Sequence, residues 1–384
     1  MDTSRFRAPE AGRIVRAEGG YRAFVPSPLP PRIDWDADLV LALSRADAAL
    51  SELSGAGAQL PNPHLLISPS LRQEAVLSSR IEGTRSSLSD VLIDELREPN
   101  LESATGDVRE VRNYVRAMER GLERLSSLPL SLRLVRELHA TLMQGARGAH
   151  ATPGEFRRSQ NWIGRPGSTI ETAAYVPPPP DEMIEALGAW ERFLHERDVM
   201  PDLVQCALMH EQFEAIHPFL DGNGRVGRLL ITLFLVERGR LAQPLLYLSA
   251  FFERNRGEYY DALQAVRTDG DWKGWLLYFL RGVEEVARRS VRQAYDLMEV
   301  RERLRAVSGS AKATALVDEL FLSPYLDVAT AARLLKVSDP TARKAVERLV
   351  AAGALIEVTG RTWGRIYECR PIMDVLEREL PSAG

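Results

Sequence analysis

The run His217-Pro218-Phe219-Leu220-Asp221-Gly222-Asn223-Gly224-Arg225-Val226-Gly227-Arg228 brings an imidazole, a carboxylate, an amide and two guanidiniums into one glycine-rich segment. The apolar residues Leu229, Leu230, Ile231, Leu233, Phe234, Leu235 and Val236 follow at once, long enough for a buried helix. A glycine loop that opens a helix leaves unpaired backbone N–H groups at the positive end of the helix dipole, and these can cradle phosphate oxygens. His217 stands just ahead of that cradle, where its imidazole can take a proton near neutrality from a hydroxyl attacking a bound phosphate. Asp221 offers a hard oxygen to Mg2+, an ion that usually keeps several waters and rests on one or two carboxylates plus substrate phosphates. Arg225 and Arg228, one helical turn apart, can neutralise phosphate charge with planar forks.

Other patterns compete for the same residues. Gly222 to Gly227 fits the dinucleotide spacing GxGxxG, which needs a strand before it. Leu203, Val204, Ala207, Leu208, Phe213 and Ile216 precede it at helical spacing instead, against a Rossmann turn. No Gly-Lys-Ser/Thr closes the glycines, so a Walker A loop fails. His210-Glu211-Gln212-Phe213-Glu214 has Glu where the zinc-protease pattern requires His. A glycine-rich turn between helices with solvated arginines is the plain structural alternative.

The loop therefore needs a helix on each side, and most of the chain reads as helix. Leu39, Val40, Leu43, Ala46, Leu50 and Leu53 mark one face over 36–53, with a break expected at Gly55-Ala56-Gly57 and at Pro61-Asn62-Pro63. Further helices are expected at 71–81, with Gly83 as its C-terminal cap, and at 107–128 and 131–142. Residues 21–33, with Pro26, Pro28, Pro30 and Pro31, read as an extended arm, and 145–154 as a glycine-rich connection. Residues 158–164 and 170–176 around the turn Arg165-Pro166-Gly167-Ser168 read as a hairpin. Pro177 to Pro180 end it, and Asp181 can cap the next helix.

Residues 217–228 resemble the Fic family signature HPFx(D/E)GNGRxxR and match every fixed position. The resemblance implies transfer of AMP from ATP to a protein Ser, Thr or Tyr hydroxyl. His217 is then the base and Asp221 the Mg2+ ligand; backbone N–H groups from Gly222 to Arg225, with the Asn223 side chain, hold the α-phosphate. The loop from Gly224 through Val226 and Gly227 to Arg228 completes the ATP site, Arg228 orienting the β/γ end. Ser78-x-x-x-Glu82-Gly83 is similar to the family's inhibitory helix, (S/T)xxxE(G/N). A Glu82 carboxylate paired two-point with Arg228 would occupy the guanidinium that should hold the γ-phosphate. Pro28 to Pro31 and Leu60-Pro61-Asn62-Pro63 are similar to the family's N-terminal region. The hairpin, ending in Tyr175-Val176-Pro177-Pro178, resembles the family's flap, along which a protein target would pair by β-augmentation. Of the paired aromatics Tyr259-Tyr260, Tyr260 is expected to cover the adenine, the alternative being that both rings pack in the core. Some relatives have an asparagine seven residues later where Arg267 stands. The same scaffold also admits transfer of UMP, phosphocholine or phosphate, or removal of AMP with Glu82 positioning water. A DNA-binding regulator that only senses ATP is a further alternative.

The composition bounds these readings. The chain has 384 residues, 45% hydrophobic and 27% charged, with net charge −4, which suits a soluble, mainly α protein of two or three domains. Two distant cysteines, Cys206 and Cys369, argue against a disulfide framework and for a reducing cytoplasm. No membrane span or signal peptide is visible. The expected organisation is a Fic N-terminal region at 1–110, a Fic-type helical bundle with its flap at 111–285, a linking helix at 286–310 and a winged helix-turn-helix domain at 311–384. In the last, 327–336 and 340–352 form the two helices, and 355–358 and 366–369 the wing. Acids and bases balance over 311–384, so no strongly basic DNA footprint is present, yet Arg343, Lys344, Arg348, Arg361 and Arg365 gather on the second helix and wing. DNA binding and a protein-docking or homodimerising role both remain open for it.

Overall fold

The computed structural model describes residues 1–59, 64–97, 104, 106–145, 152–165 and 167–378. Leu60-Pro61-Asn62-Pro63, Pro166 and residues 146–151 of the expected connection lie outside them. Fifteen α-helices among the described residues build a mainly α molecule. Numbered in chain order they begin with α1 (Ala37–Gln59), α2 (His64–Ile81) and α3 (Leu88–Arg97). Next come α4 (Gly106–Arg124), α5 (Leu132–Leu142), α6 (Pro180–His195), α7 (Asp202–Ile216) and α8 (Asn223–Glu237). The bundle closes with α9 (Ser249–Arg254), α10 (Arg256–Asp269) and α11 (Trp272–Val307).

The two helices flanking the loop lie at the centre. Every residue of α7 from Leu203 to Ile216 is buried, so other elements cover all its faces, and Trp190 of α6 and Trp275 of α11 pack on it. Both indole N–H groups donate into α7, to the Met209 and Ala207 carbonyls, each at 2.9 Å. Gly227 lets α8 close on α7. A Cβ there would stand 2.4 Å from Glu214 Oε1 and 3.3 Å from the Phe213 ring. Leu229, Leu230, Leu233 and Phe234 then bury the rest of α8 in the main core.

Three expectations need correction. Residues 12–26 fold as an antiparallel hairpin, β1 (Gly12–Arg16) and β2 (Arg22–Pro26), paired from Gly12↔Pro26 to Arg16↔Arg22, so the first part of the arm expected over 21–33 is a paired strand. Ile14 and Val15 opposite Phe24 and Ala23 supply the β-favouring pairs, and the prolines begin only where the strand ends. The expected flap hairpin is reduced to one antiparallel bridge, Ile163↔Tyr175, with N–H···O bonds of 2.8 and 3.1 Å. Polar groups of its first arm go elsewhere: Gln160 donates to the Pro177 carbonyl and Asn161 to that of Phe219, both at 2.8 Å. Helix α1 also runs straight through Gly55-Ala56-Gly57, because Gly57 lies against Leu245, whose Cδ1 a Cβ would meet at 2.9 Å.

The C-terminal unit follows α11, which is continuous from Trp272 to Val307 across the expected boundary at 285. It comprises α12 (Ala311–Leu320), β3 (Tyr325–Leu326), α13 (Val328–Leu335), α14 (Asp339–Ala351), β4 (Ile356–Glu357), β5 (Tyr367–Glu368) and α15 (Arg370–Leu376). Its strands form a small antiparallel sheet in the order β3-β5-β4. The unit rests on α2 and α3. Gln73 Nε2 donates to the Leu376 carbonyl at 2.7 Å, Ser68 Oγ to that of Leu322 at 3.3 Å, and the Tyr325 hydroxyl to Ser89 Oγ at 2.9 Å. No helix among the described residues is long and apolar enough to cross a membrane.

Candidate functional site

Helix α7 terminates at His217, whose backbone sits at φ 50° and ψ 60°. A non-glycine residue enters this left-handed region at a cost of about 1–2 kcal/mol, and only a surrounding that over-determines it sustains the strain. Here that surrounding is hydrogen bonding. The His217 N–H donates to the Phe213 carbonyl at 3.0 Å, and its own carbonyl accepts from Arg157 Nε at 3.0 Å. Arg157 is buried, and its backbone N–H donates to the Pro218 carbonyl at 2.9 Å. The imidazole Nδ1 is buried without a hydrogen-bond partner. Burial, with Arg157 and Arg267 adding positive charge, pushes the His217 pKa down to about 3. The ring is therefore neutral at physiological pH, the form that accepts a proton.

The loop after His217 is braced from within. Asn223 Oδ1 accepts from the Phe219 N–H, and its Nδ2 donates to the Phe219 carbonyl, both at 2.8 Å. The side chain expected on a phosphate is thus engaged by the loop itself. Gly222 takes φ 79° to open α8. Its N–H donates to Asp221 Oδ1 at 2.6 Å, which leaves Asn223, Gly224 and Arg225 as the opening N–H groups without a partner inside the helix. The Asp221 side chain is half exposed, and no cluster of three or more His, Cys, Asp or Glu able to hold a metal exists among the described residues. A lone carboxylate fits Mg2+, which takes its remaining ligands from water and phosphate.

The two arginines part company. Arg225 turns inward to Glu110, Nη1 to Oε2 at 3.0 Å, with its Nη2 3.6 Å from Asp221 Oδ1. It braces the loop from below. Arg228 donates from Nε to Ser78 Oγ and from Nη2 to the Ser78 carbonyl, each at 2.9 Å, and from Nη2 to Glu82 Oε1 at 2.6 Å. The contact with Glu82 is thus a single bond rather than the two-point fork expected from the sequence, with Nε and the rest of Nη2 engaged by Ser78. Helix α2 stops one residue before Glu82, and Gly83, at φ 101°, turns the chain away. The carboxylate lies on the cradle. A Cβ on Gly224 would stand 2.2 Å from Glu82 Oε1, so an anionic oxygen already occupies the space that this glycine leaves open. Burial alone would raise the Glu82 carboxyl, but Arg228, helped by Arg225 and His217, outweighs it and holds the pKa below its ordinary range.

Val226 is a core residue and Gly227 faces α7, so any contact of these two with a ligand is through backbone. The Gly227 carbonyl accepts from His210 Nδ1 at 3.1 Å, while His210 Nε2 accepts from the Tyr259 hydroxyl at 2.8 Å. The tyrosine pair is divided: Tyr259 is buried, and Tyr260 is 41% exposed with the Arg256 guanidinium 5.8 Å from its ring centre. Residues that sequence reasoning passed over complete the site. His139 stacks on Phe219 at 3.7 Å, accepts at Nδ1 from the Gly154 N–H at 2.8 Å and donates from Nε2 to the Asp221 carbonyl at 3.0 Å. Glu214, one turn before His217, has a buried Oε1 without a partner, and burial pushes its pKa up to about 7 against the pull of Arg228. No spacing in the sequence ties His139, Arg157 or Glu110 to the loop; folding alone brings them there.

The arrangement joins a neutral imidazole, a helix-opening anion cradle and a charged plug, and the same region matches known proteins. The Fic/DOC N-terminal family model matches residues 40–123 and the Fic/DOC family model residues 129–235. Residues 40–123 and 129–235 thus carry a Fic/DOC N-terminal and a Fic/DOC domain. It is 30% identical over 196 residues to the probable protein adenylyltransferase of Aquifex aeolicus, covering 50% of this chain and 54% of that protein. It is 29% identical over 167 residues to the protein adenylyltransferase Fic of Aedes aegypti, covering 42% of this chain and 28% of that protein. The chain thus spans about half of the first relative and a little over a quarter of the second. Its fold resembles that of a Fic family protein from Desulfovibrio desulfuricans, with TM-score 0.58 and 20% identity over 89% of this chain and 98% of the other. It also resembles Fic-1 of C. elegans, with TM-score 0.51 and 20% identity over 68% and 74%.

Proposed function

We propose that this chain transfers AMP from ATP to a Ser, Thr or Tyr hydroxyl of a protein, itself included, and that Glu82 holds it in a low-activity state. In this reading the hydroxyl oxygen bonds to the α-phosphorus as His217 takes its proton, and the bond from that phosphorus to the bridging oxygen breaks, releasing pyrophosphate. Backbone N–H groups of Asn223, Gly224 and Arg225 steady the α-phosphate, and Arg228 takes the γ end once Glu82 withdraws. An anionic phosphate beside the imidazole offsets the two arginines and draws the His217 pKa back toward neutrality, where a base works best. Asp221 would hold Mg2+, which supplies charge neutralisation on the phosphates. Tyr260, the exposed ring of its pair, would cover the base of the nucleotide. The 163–176 bridge would present the target backbone.

The observation that carries the reading is the Glu82 carboxylate lying on Gly224 and bonded to Arg228, an anion held where phosphate would bind. The two buried free thiols suit a reducing compartment such as the cytoplasm. The test is intact mass of Glu82→Gly protein after incubation with ATP. A gain of one AMP, absent in Glu82→Gly/His217→Ala, supports transfer. No adduct on the protein or on any protein of a cell extract overturns it.

A further inference from the structure

Residues 311–378 carry ten bases and nine acids, nearly even in number but not in space. Five of the acids are engaged within the fold. Asp318 bonds Arg301 at 2.8 Å and Arg305 at 2.9 Å, both on α11, and Asp327 caps α13 through the Thr330 N–H at 2.7 Å. Glu357 accepts the Gly360 N–H at 3.0 Å inside its own turn. Glu368 accepts from the Tyr325 hydroxyl at 2.9 Å and pairs with Arg370, as does Asp374. The bases stay outside. Among the described residues, the exposed Arg333, Lys336, Arg343, Lys344 and Arg361 form no ion pair. Arg348 and Arg365 donate only to carbonyls, of Gly309 and Arg361. Asp339 and Glu347 are the acids that remain exposed on α14.

We propose that the outer face of α14 and the loop joining β4 to β5 bind duplex DNA, and that occupancy is felt at Glu82 through α2 and α3. Helix α14 buries Ala342, Ala345, Val346 and Leu349, which turns Arg343, Lys344 and Arg348 outward. A DNA major groove about 12 Å wide admits such a helix, and a flanking loop then reaches the neighbouring phosphates. That loop carries Trp363, 84% exposed, between Arg361 and Arg365. An indole held in water beside two guanidiniums is suited to packing on a deoxyribose while the cations bind phosphate. Regular phosphate rails engage helix and loop together; a short acidic peptide would leave one of them idle.

A separate set of contacts links this face to the site. Arg361, with Val358 and Thr359, lines a cleft of about 590 Å3. Its opposite wall holds Ser86, Asp90 and Asp94, in the segment that follows Glu82. The Tyr325–Ser89 and Gln73–Leu376 bonds tie the same unit to α3 after Glu82 and to α2 before it. Seating phosphates on Arg361 changes the charge facing Asp90 and Asp94, and α2 ends in the carboxylate on Arg228. This coupling rests on the inhibitory reading of Glu82 given above, but its test does not require catalysis. Linkage makes it reciprocal: a duplex that shifts the closed–open balance at Glu82 must bind those two states with different affinity, so removing Glu82 changes DNA affinity.

The test is fluorescence anisotropy of the full chain with a labelled duplex of about two helical turns, across a salt series. The expected affinity falls linearly with salt on logarithmic axes, by about 0.9 in slope per phosphate neutralised. Arg343→Ala and Arg361→Ala should each lower that slope by about one. Trp363→Ala should weaken binding by about tenfold, as expected for losing an apolar ring packed on the sugar. Binding without salt dependence, or displacement by polyglutamate as readily as by unlabelled duplex, overturns the DNA interface and points to an acidic protein. Glu82→Gly, which touches none of this face, should change duplex affinity by about fivefold or more. Equal affinities for wild type and Glu82→Gly overturn the coupling while leaving the interface intact. A Glu82→Gly protein that binds DNA as expected but attaches no AMP to any protein counts against the transferase reading alone.

Discussion

Replacing Glu82 by Gln keeps the size of the plug and removes its charge. The Arg228–Glu82 bond joins a guanidinium whose side chain is 2% exposed to a carboxylate that is 34% exposed. A hydrogen bond to a charged group contributes about 1.5–3 kcal/mol, and water around Glu82 sets the lower end. About 1.4 kcal/mol corresponds to a tenfold shift from closed to open. Arg228 keeps both bonds to Ser78, so the fold should lose little, and melting should move by no more than about 2–4 °C. In the proposed reading Glu82 competes with ATP for the site, so apparent ATP affinity is reduced by the open fraction. Glu82→Gln should therefore lower the half-saturating ATP for self-labelling by about tenfold, measured as initial rates against ATP concentration. The pH dependence has a definite sign. The Glu82 carboxyl lies below its ordinary value of 4.5, so the contact is complete above that value and is lost only as pH falls through the lowered one. Inhibition should thus be constant from neutral down to about pH 5. An unchanged saturation curve for Glu82→Gln, in protein that melts normally, would refute the reasoning.

Four further outcomes follow from the same geometry. His217→Ala should lower transfer by about 10²–10⁴-fold, the usual contribution of a positioned base, while melting stays near wild type because the Nδ1 it removes has no partner; the check is labelling rate beside a thermal melt. Gly227→Ala drives a methyl toward Glu214 and Phe213 and should cost about 1–3 kcal/mol, read as a lowered denaturant midpoint. His210 and His217 are held neutral down to about 3, whereas unfolded chains take up these protons near 6.5. The unfolded state therefore binds more protons as pH falls, and melting at pH 5 should lie below that at pH 7, less so in His210→Gln. Chelation of divalent ions should abolish labelling, and Asp221→Ala should raise the Mg2+ needed to restore it. Restoration of Asp221→Ala at the wild-type concentration would remove Asp221 from that role.

The sequence by itself determined the densest parts of this protein. His217 to Arg228 is contiguous, and a short glycine loop opening an apolar helix has one way to expose its N–H groups, so cradle and imidazole were legible together. Amphipathic spacing likewise marked the helices, and Gly83 the end of α2. Tertiary structure decided what no local pattern encodes, namely which donor meets which acceptor. Arg225 and Arg228 are equivalent in sequence, yet one is turned to Glu110 and the other to Ser78 and Glu82 by helices more than a hundred residues upstream. Asn223 was expected on phosphate because an amide can reach either target; the folded loop engages it first. The flap pairs at Ile163↔Tyr175 alone, while its polar side chains find carbonyls on the 217–219 turn and at Pro177. Hydrogen-bond partners are settled by the packing of distant helices, and the periodicity of one segment carries no record of what another will place beside it.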